Sequence, residues 1–141
     1  MNLHLTRRYR FAASHRLHSA QLSEEENRRV YGKCNNPYGH GHNYVVEVAV
    51  SGPVDRATGM IANLADLDAF VAREVIEPFD YKFLNQDVAA FGERVPTTEN
   101  LCIEIFNRLR EFPRARLERV RVEETGLNSF EYTGEPAGSC Q

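Results

Sequence analysis

The segment Cys34-Asn35-Asn36-Pro37-Tyr38-Gly39-His40-Gly41-His42-Asn43-Tyr44 sets one thiol close to two imidazoles that an extended backbone aims in the same direction. Successive side chains on a strand point to opposite faces. Residues two apart therefore share a face, with Cα atoms roughly 6.5–7 Å apart, and two imidazoles at that separation can converge on one ion. Zinc bonds His nitrogen at about 2.0–2.1 Å and, in catalytic centres, usually takes three protein ligands with one position left open. His40 and His42 thus predict a zinc centre with a reactive thiol beside it, and require a third ligand from elsewhere.

The chain has five histidines, His4, His15, His18, His40 and His42, and His15 is the best placed of the remainder. From Leu3 to His15 the odd positions Leu3, Leu5, Tyr9, Phe11 and Ala13 are apolar, which predicts a half-buried strand whose inner face His15 continues. Arg7 interrupts that face, and the pattern offers no reason for it. His4 falls on the polar face and His18 beyond the strand, so both read as solvated or hydrogen-bonded side chains.

A second chemical signal lies near the C-terminus, in Glu118-Arg119-Val120-Arg121-Val122-Glu123-Glu124. Val120 and Val122 form an apolar face, so Glu124 points inward with them. A buried carboxylate is costly unless it is paired or hydrogen-bonded. Glu124 is therefore either salt-bridged to Arg or Lys, or waits for a ligand with matching donors; the adjacent N–H groups of a pterin or purine edge would satisfy it with two parallel bonds.

The elements that must position these groups run strand, polar connection, strand, two helices, two strands. The charged run from Gln21 to Arg29 reads as a solvated loop or short helix. The second strand spans about His42 to Val50, with Tyr44, Val46, Val48 and Val50 on the histidine face and Asn43 and Glu47 on the other, and Pro53 and Gly59 mark the following turn. Asn63 caps a first helix that should stop near Pro78. A second begins after Pro96-Thr97-Thr98-Glu99, with Leu101, Cys102, Ile105, Phe106 and Leu109 as its apolar stripe, and Pro113 ends it. Strands over about Leu117–Glu124 and Asn128–Tyr132 form a hairpin, and the tail after Gly134, with Cys140, is expected to be loose.

Length and charge bound the rest. At 141 residues, 42% hydrophobic and 26% charged, the chain suits one soluble domain over residues 1–141. A formal net charge of -3 argues against nucleic acid or an anionic membrane as the main partner. No apolar run approaches a membrane span and the N-terminus lacks the apolar core of a signal peptide, so a cytoplasmic protein is expected. Three cysteines, Cys34, Cys102 and Cys140, with no C-x-x-C pair, make a disulfide framework improbable.

Six motifs in order resemble the 6-pyruvoyltetrahydropterin synthase family, which includes the 6-carboxytetrahydropterin synthases of queuosine biosynthesis. They are Phe11-Ala12-Ala13-Ser14-His15; Cys34 with His40-Gly41-His42-Asn43-Tyr44; the run from Thr58 to Leu67; Phe79-Asp80-Tyr81-Lys82-Phe83-Leu84-Asn85; Pro96-Thr97-Thr98-Glu99-Asn100; and Val122-Glu123-Glu124-Thr125. The resemblance implies an α+β tunnelling fold of ββααββ order, an antiparallel sheet with two helices on one face. It also implies a barrel formed by joining the sheets of neighbouring subunits, and a homohexamer built as a dimer of trimers.

It further implies Zn2+ on His15, His40 and His42, a pterin substrate anchored by Glu124 with Thr97 and Thr98 near the ring, and Cys34 as thiol base. The implied reaction converts 7,8-dihydroneopterin triphosphate to 6-pyruvoyltetrahydropterin with loss of triphosphate, in tetrahydrobiopterin biosynthesis. The five residues between Cys34 and His40 look like the pyruvoyl branch. Where the family reads Asp-His-Lys, this chain has Asp80-Tyr81-Lys82, so a phenol of pKa near 10 stands where an imidazole near 6.5 would share proton transfer with the aspartate. Three other readings follow. One is the 6-carboxytetrahydropterin synthase reaction of queuosine biosynthesis; another is a weakly active or non-catalytic pterin-binding relative; the third is a structural zinc with Cys34 as fourth ligand.

Overall fold

The computed structural model describes residues 3–135, so the expectation for Cys140 lies outside the described residues. Strand β1 spans Leu3–His15, and its alternation buries Phe11, Ala13 and His15. It pairs antiparallel with β2, His40–Gly52, in a register that sets His15 opposite His40 and Ala13 opposite His42. β2 begins two residues earlier than its apolar pattern predicts, because Gly39 lets the chain turn into the ladder. Its φ is +76° and a Cβ there would meet the His15 carbonyl oxygen at 3.0 Å.

Between these strands the charged run forms helix α1, Glu24–Tyr31, closed by a reciprocal Ser23–Glu26 capping box. A 3-10 turn, Gly32–Asn35, follows and carries Cys34.

Asn63 caps helix α2, Leu64–Val71, by accepting from the Ala65 N–H at 2.7 Å. The helix does not stop there. It widens into a π turn, Ala72–Ile76, and continues as α3, Glu77–Phe79. Pro78 explains the widening, since proline lacks an N–H and its ring crowds the carbonyl four residues back. That carbonyl, on Glu74, instead accepts from Arg108 Nη1 at 3.3 Å. Leu67, Val71, Val75 and Phe79 recur every four residues and are fully buried.

A short strand β3, Lys82–Phe83, pairs parallel to β1 and was not expected from the sequence, being too short to show periodicity. Helix α4, Leu84–Asp87, precedes α5, Thr98–Leu109, whose N-cap Thr97 accepts from the Asn100 N–H. Leu101, Cys102, Ile105, Phe106 and Leu109 of α5 are buried, each large aliphatic among them stabilising the fold by about 1.5–3 kcal/mol.

Strands β4, Arg116–Thr125, and β5, Asn128–Tyr132, form the hairpin, and the turn is Gly126–Leu127 because Thr125 still pairs with Asn128.

The sheet order is β3-β1-β2-β4-β5. Apart from β3 it is antiparallel, with Val46 opposite Val122 and Val48 opposite Val120 at its centre. These valines share one core with the apolar stripes of α2 and α5. This is the α+β tunnelling-fold architecture, and within one chain the sheet stays open.

Two polar interruptions find their reasons. Arg7 reaches helix α2 and bonds both oxygens of Asp68, at 2.7 and 2.9 Å, with the Tyr9 hydroxyl donating to the same carboxylate. Glu47, on the helix-free face, is buried beneath Arg8, Arg119 and Arg121. No helix among the described residues is long and apolar enough to cross a membrane.

Candidate metal centre

The β1–β2 register brings three imidazoles together at one end of the sheet. His15 Nε2 and His40 Nε2 lie 3.1 Å apart, and the ligand nitrogens of His15, His40 and His42 are all within 4.8 Å of one another. Two nitrogens bound tetrahedrally to one zinc at about 2.05 Å would stand roughly 3.3 Å apart. The spacing therefore fits a single ion.

The protonation pattern fits as well. His15 Nδ1 lies 2.7 Å from the Pro96 carbonyl oxygen, which can only accept, so Nδ1 carries the proton and Nε2 offers its lone pair to the centre. Burial pushes the His15 pKa down to about 4, and His42 is lowered for the same first reason, so both rings are neutral ligands near pH 7. His42 Nε2 is buried with no hydrogen-bond partner among the described residues, and a cation would satisfy it.

Glu124 faces this cluster, as its place on β4 predicts. Its Oε2 lies 3.8 Å from His42 Nε2 and 4.0 Å from His15 Nε2. It accepts from the Thr98 hydroxyl and from Asn128 Nδ2, the latter at 3.2 Å. Burial raises its pKa, but the bonds from Thr98 and Asn128 and the neighbouring imidazoles outweigh that and leave the carboxyl below its ordinary value. Its partners are thus neutral donors and imidazoles rather than Arg or Lys. With 19% of the side chain exposed, the carboxylate keeps acceptor capacity toward the opening.

The two threonines divide their work. Thr97 Oγ1 caps α5, while buried Thr98 turns its hydroxyl to Glu124. Tyr44 packs behind them, stacked on Phe11 at 5.1 Å between ring centroids, with its hydroxyl 3.5 Å from His15 Nδ1.

Cys34 is half-buried, and the Leu17 N–H donates to its carbonyl at 2.8 Å, tying its turn to the end of β1. Burial and then the charge of Glu124 push its thiol pKa up. Among the described residues the converging ligand set holds three imidazoles and no thiol. Among the described residues a closed four-ligand site is not built.

Asp80 and Tyr81 are tied to the edge of β1. Asp80 Oδ1 accepts from the Ala12 N–H at 2.9 Å, and the Tyr81 N–H donates to the Ala12 carbonyl at 2.6 Å. Tyr81 is 86% exposed at φ 59°, and with Arg10, Ala12 and Asn43 it lines a cavity of about 310 Å³ on the helix-free side of the sheet. A bulky residue in the left-handed region is strained, and such residues cluster at functional positions.

Two contributors had no sequence signal. The Pro96 carbonyl is a backbone group, and Asn128 reaches Glu124 only because the hairpin folds it back.

An open sheet backed by two helices, carrying three convergent histidines that could hold a metal ion and an inward glutamate, defines a tunnelling-fold protein. The 6-pyruvoyl tetrahydropterin synthase family model matches residues 4–135. The 6-pyruvoyl tetrahydrobiopterin synthase of Poecilia reticulata is 49% identical over 133 residues, which is 94% of this chain and 90% of that protein. The solved structure of Caenorhabditis elegans 6-pyruvoyl tetrahydropterin synthase superposes with a TM-score of 0.91 at 40% identity, covering 96% of this chain and 97% of that one. The 6-carboxy-5,6,7,8-tetrahydropterin synthase of Haemophilus influenzae is 27% identical over 121 residues, 72% of this chain and 84% of that protein. This chain belongs to the 6-pyruvoyl tetrahydropterin synthase family.

Proposed function

We propose that this protein, as one domain over residues 1–141, is a cytoplasmic zinc-dependent lyase. It converts 7,8-dihydroneopterin triphosphate to 6-pyruvoyltetrahydropterin with loss of triphosphate. The observation that carries this reading is the convergence of three imidazoles beside a carboxylate held by neutral donors. Three imidazoles with no thiolate suit zinc with an open position. Bound there, zinc would lower the cost of negative charge developing on the substrate's side-chain oxygens.

The chain's own residues supply the rest. Glu124 accepts two N–H groups of the pterin edge, with Thr98 fixing its carboxylate and Thr97 starting the helix beside the ring. Cys34 is the base that takes a proton from the substrate's side chain, and its turn is anchored to the same strand end that carries His15. Asp80 and Tyr81 belong to the exposed face and the β1 edge. In the homohexamer we propose, a dimer of trimers with sheets of neighbouring subunits joined into a barrel, they share proton transfer with Cys34.

The pyruvoyl product is favoured over the carboxy product by the five residues separating Cys34 from His40. Greater similarity to the relative named for the pyruvoyl reaction supports the same choice. Tyr81 supports a second reading, a pterin binder of low turnover, because a phenol replaces the expected imidazole.

Incubating the zinc-loaded protein with 7,8-dihydroneopterin triphosphate and weighing the products separates these readings. The expected products are 6-pyruvoyltetrahydropterin and triphosphate. Acetaldehyde would mark the carboxy reaction, and tight binding without product the non-catalytic relative.

A further inference from the structure

The four residues after β1 are fixed one by one by asparagine amides. Asn85 Oδ1 accepts from the Arg16 N–H at 2.8 Å, and Asn85 Nδ2 donates to the Arg16 carbonyl at 2.8 Å. Asn35, nine-tenths buried, donates through Nδ2 to the Leu17 carbonyl at 2.8 Å and to His18 Nδ1 at 3.2 Å. Fully buried Asn27 accepts from the Ser19 N–H at 2.7 Å and donates to the Ser19 carbonyl at 3.0 Å. A surface connection held this closely is preorganised rather than merely tethered.

The side chains it presents are basic. Arg16 spends Nε on the Asn35 carbonyl at 3.1 Å, a bond that involves neither of its Nη nitrogens. Because Asn35 Nδ2 is a donor, His18 Nδ1 must accept, which places the ring proton on Nε2 as a further donor. Both residues line a cavity of about 300 Å³ with Arg28 of α1 and one carboxylate, Glu24, and both also line an adjoining cavity of about 650 Å³. Two guanidinium groups and an imidazole N–H against one carboxylate make the smaller cavity an acceptor of anions in a chain of net charge -3.

The cavities are joined to the metal centre through the backbone that carries it. Arg16 directly follows His15 and Asn35 directly follows Cys34. Pro96, whose carbonyl orients His15, lines the larger cavity.

We propose that Arg16, His18 and Arg28 form the subsite for the substrate's triphosphate arm, holding the leaving group while the side chain reacts at the centre. This assignment rests on the lyase reading above. Arginine forks bind phosphate oxygens in two parallel charge-assisted bonds, and neutralising the arm favours its departure as an anion.

The test titrates chelator-treated protein with inorganic triphosphate, so that the metal cannot contribute, and separately titrates it with dihydroneopterin, which lacks the arm. Arg16→Gln and Arg28→Gln should each weaken triphosphate binding by roughly 10- to 100-fold and leave dihydroneopterin affinity unchanged. Arg28 is exposed on α1, so its variant tests the subsite even where Arg16→Gln disturbs the Asn35 contact. Triphosphate affinity equal in parent and both variants, or absent from the parent, overturns the subsite. Triphosphate binding that depends on both arginines, in a protein without affinity for dihydroneopterin, sustains the subsite and overturns the pterin reading instead.

Discussion

Replacing His42 by Leu should make the metal-free protein more stable and abolish its response to zinc. In the structure His42 Nε2 is buried and unpartnered, which costs about 1–3 kcal/mol in a protein interior. The side chain is 17% exposed, so the low end of that range applies. Leucine fills similar space beside Tyr44 without a polar atom. A gain of about 1 kcal/mol corresponds to a rise in melting temperature of about 4 °C for a chain of this size.

The parent should behave oppositely with metal, gaining about 2.7 kcal/mol at a zinc concentration 100 times Kd, or roughly 10 °C. Thermal melts followed by circular dichroism, in chelator and in excess zinc, measure both effects. His4→Ala and His18→Ala serve as controls that keep the zinc shift. A variant melting below the parent in chelator, or one that keeps the parent's zinc shift, would refute the assignment of His42 as a ligand whose buried nitrogen awaits an ion.

Three further outcomes are expected. The His15 pKa falls from 6.5 to about 4 on folding, so the unfolded chain binds the proton more readily. The metal-free protein should thus keep full stability from this group above about pH 6.5 and lose it progressively down to about pH 4. Denaturant titrations that show no such slope, or an equal slope in His15→Phe, would contradict this. Cys34→Ala should abolish turnover while retaining zinc and pterin affinity, and loss of zinc in that variant would revive a fourth ligand. Tyr81→His should raise turnover near neutral pH by restoring an imidazole beside Asp80, a role that typically contributes about 10²- to 10⁴-fold; if both Tyr81→His and Tyr81→Phe slow the reaction, the phenol has its own role.

The parts of the fold legible in the sequence are those where periodicity and capping act over many residues. The alternation of β1 and β2, the Asn63 cap and the stripe of α5 all read directly. Local rules also placed His15 on the inner face and Glu124 inward, since each continues an apolar register. What escaped were features made by distant chain segments. Arg7 looked anomalous until α2 supplied Asp68, and, although the helix ends at Phe79, near Pro78 as expected, the π turn before it and the Arg108 contact to the Glu74 carbonyl had no local signal. The anchoring of Asp80 and Tyr81 on Ala12 was hidden for the same reason, because it joins residues far apart in the chain.

The ladder that sets His15 opposite His40 joins strands separated by the whole of residues 16–39. Tolerance to insertion and deletion should therefore be sharply uneven along this chain. Within the connection, extra residues at the exposed turn of Ala20 and Gln21 change a loop closure whose cost grows only slowly with length. Within β1 or β2, a single added residue inverts every side chain beyond it, sending the imidazoles to solvent and the polar edge into the valine core. Length variation among descendants of this sequence should thus gather between the strands. Each strand should drift by substitution alone, so that the spacing from Phe11 to His15 and from His40 to Val50 outlasts most of the letters in between.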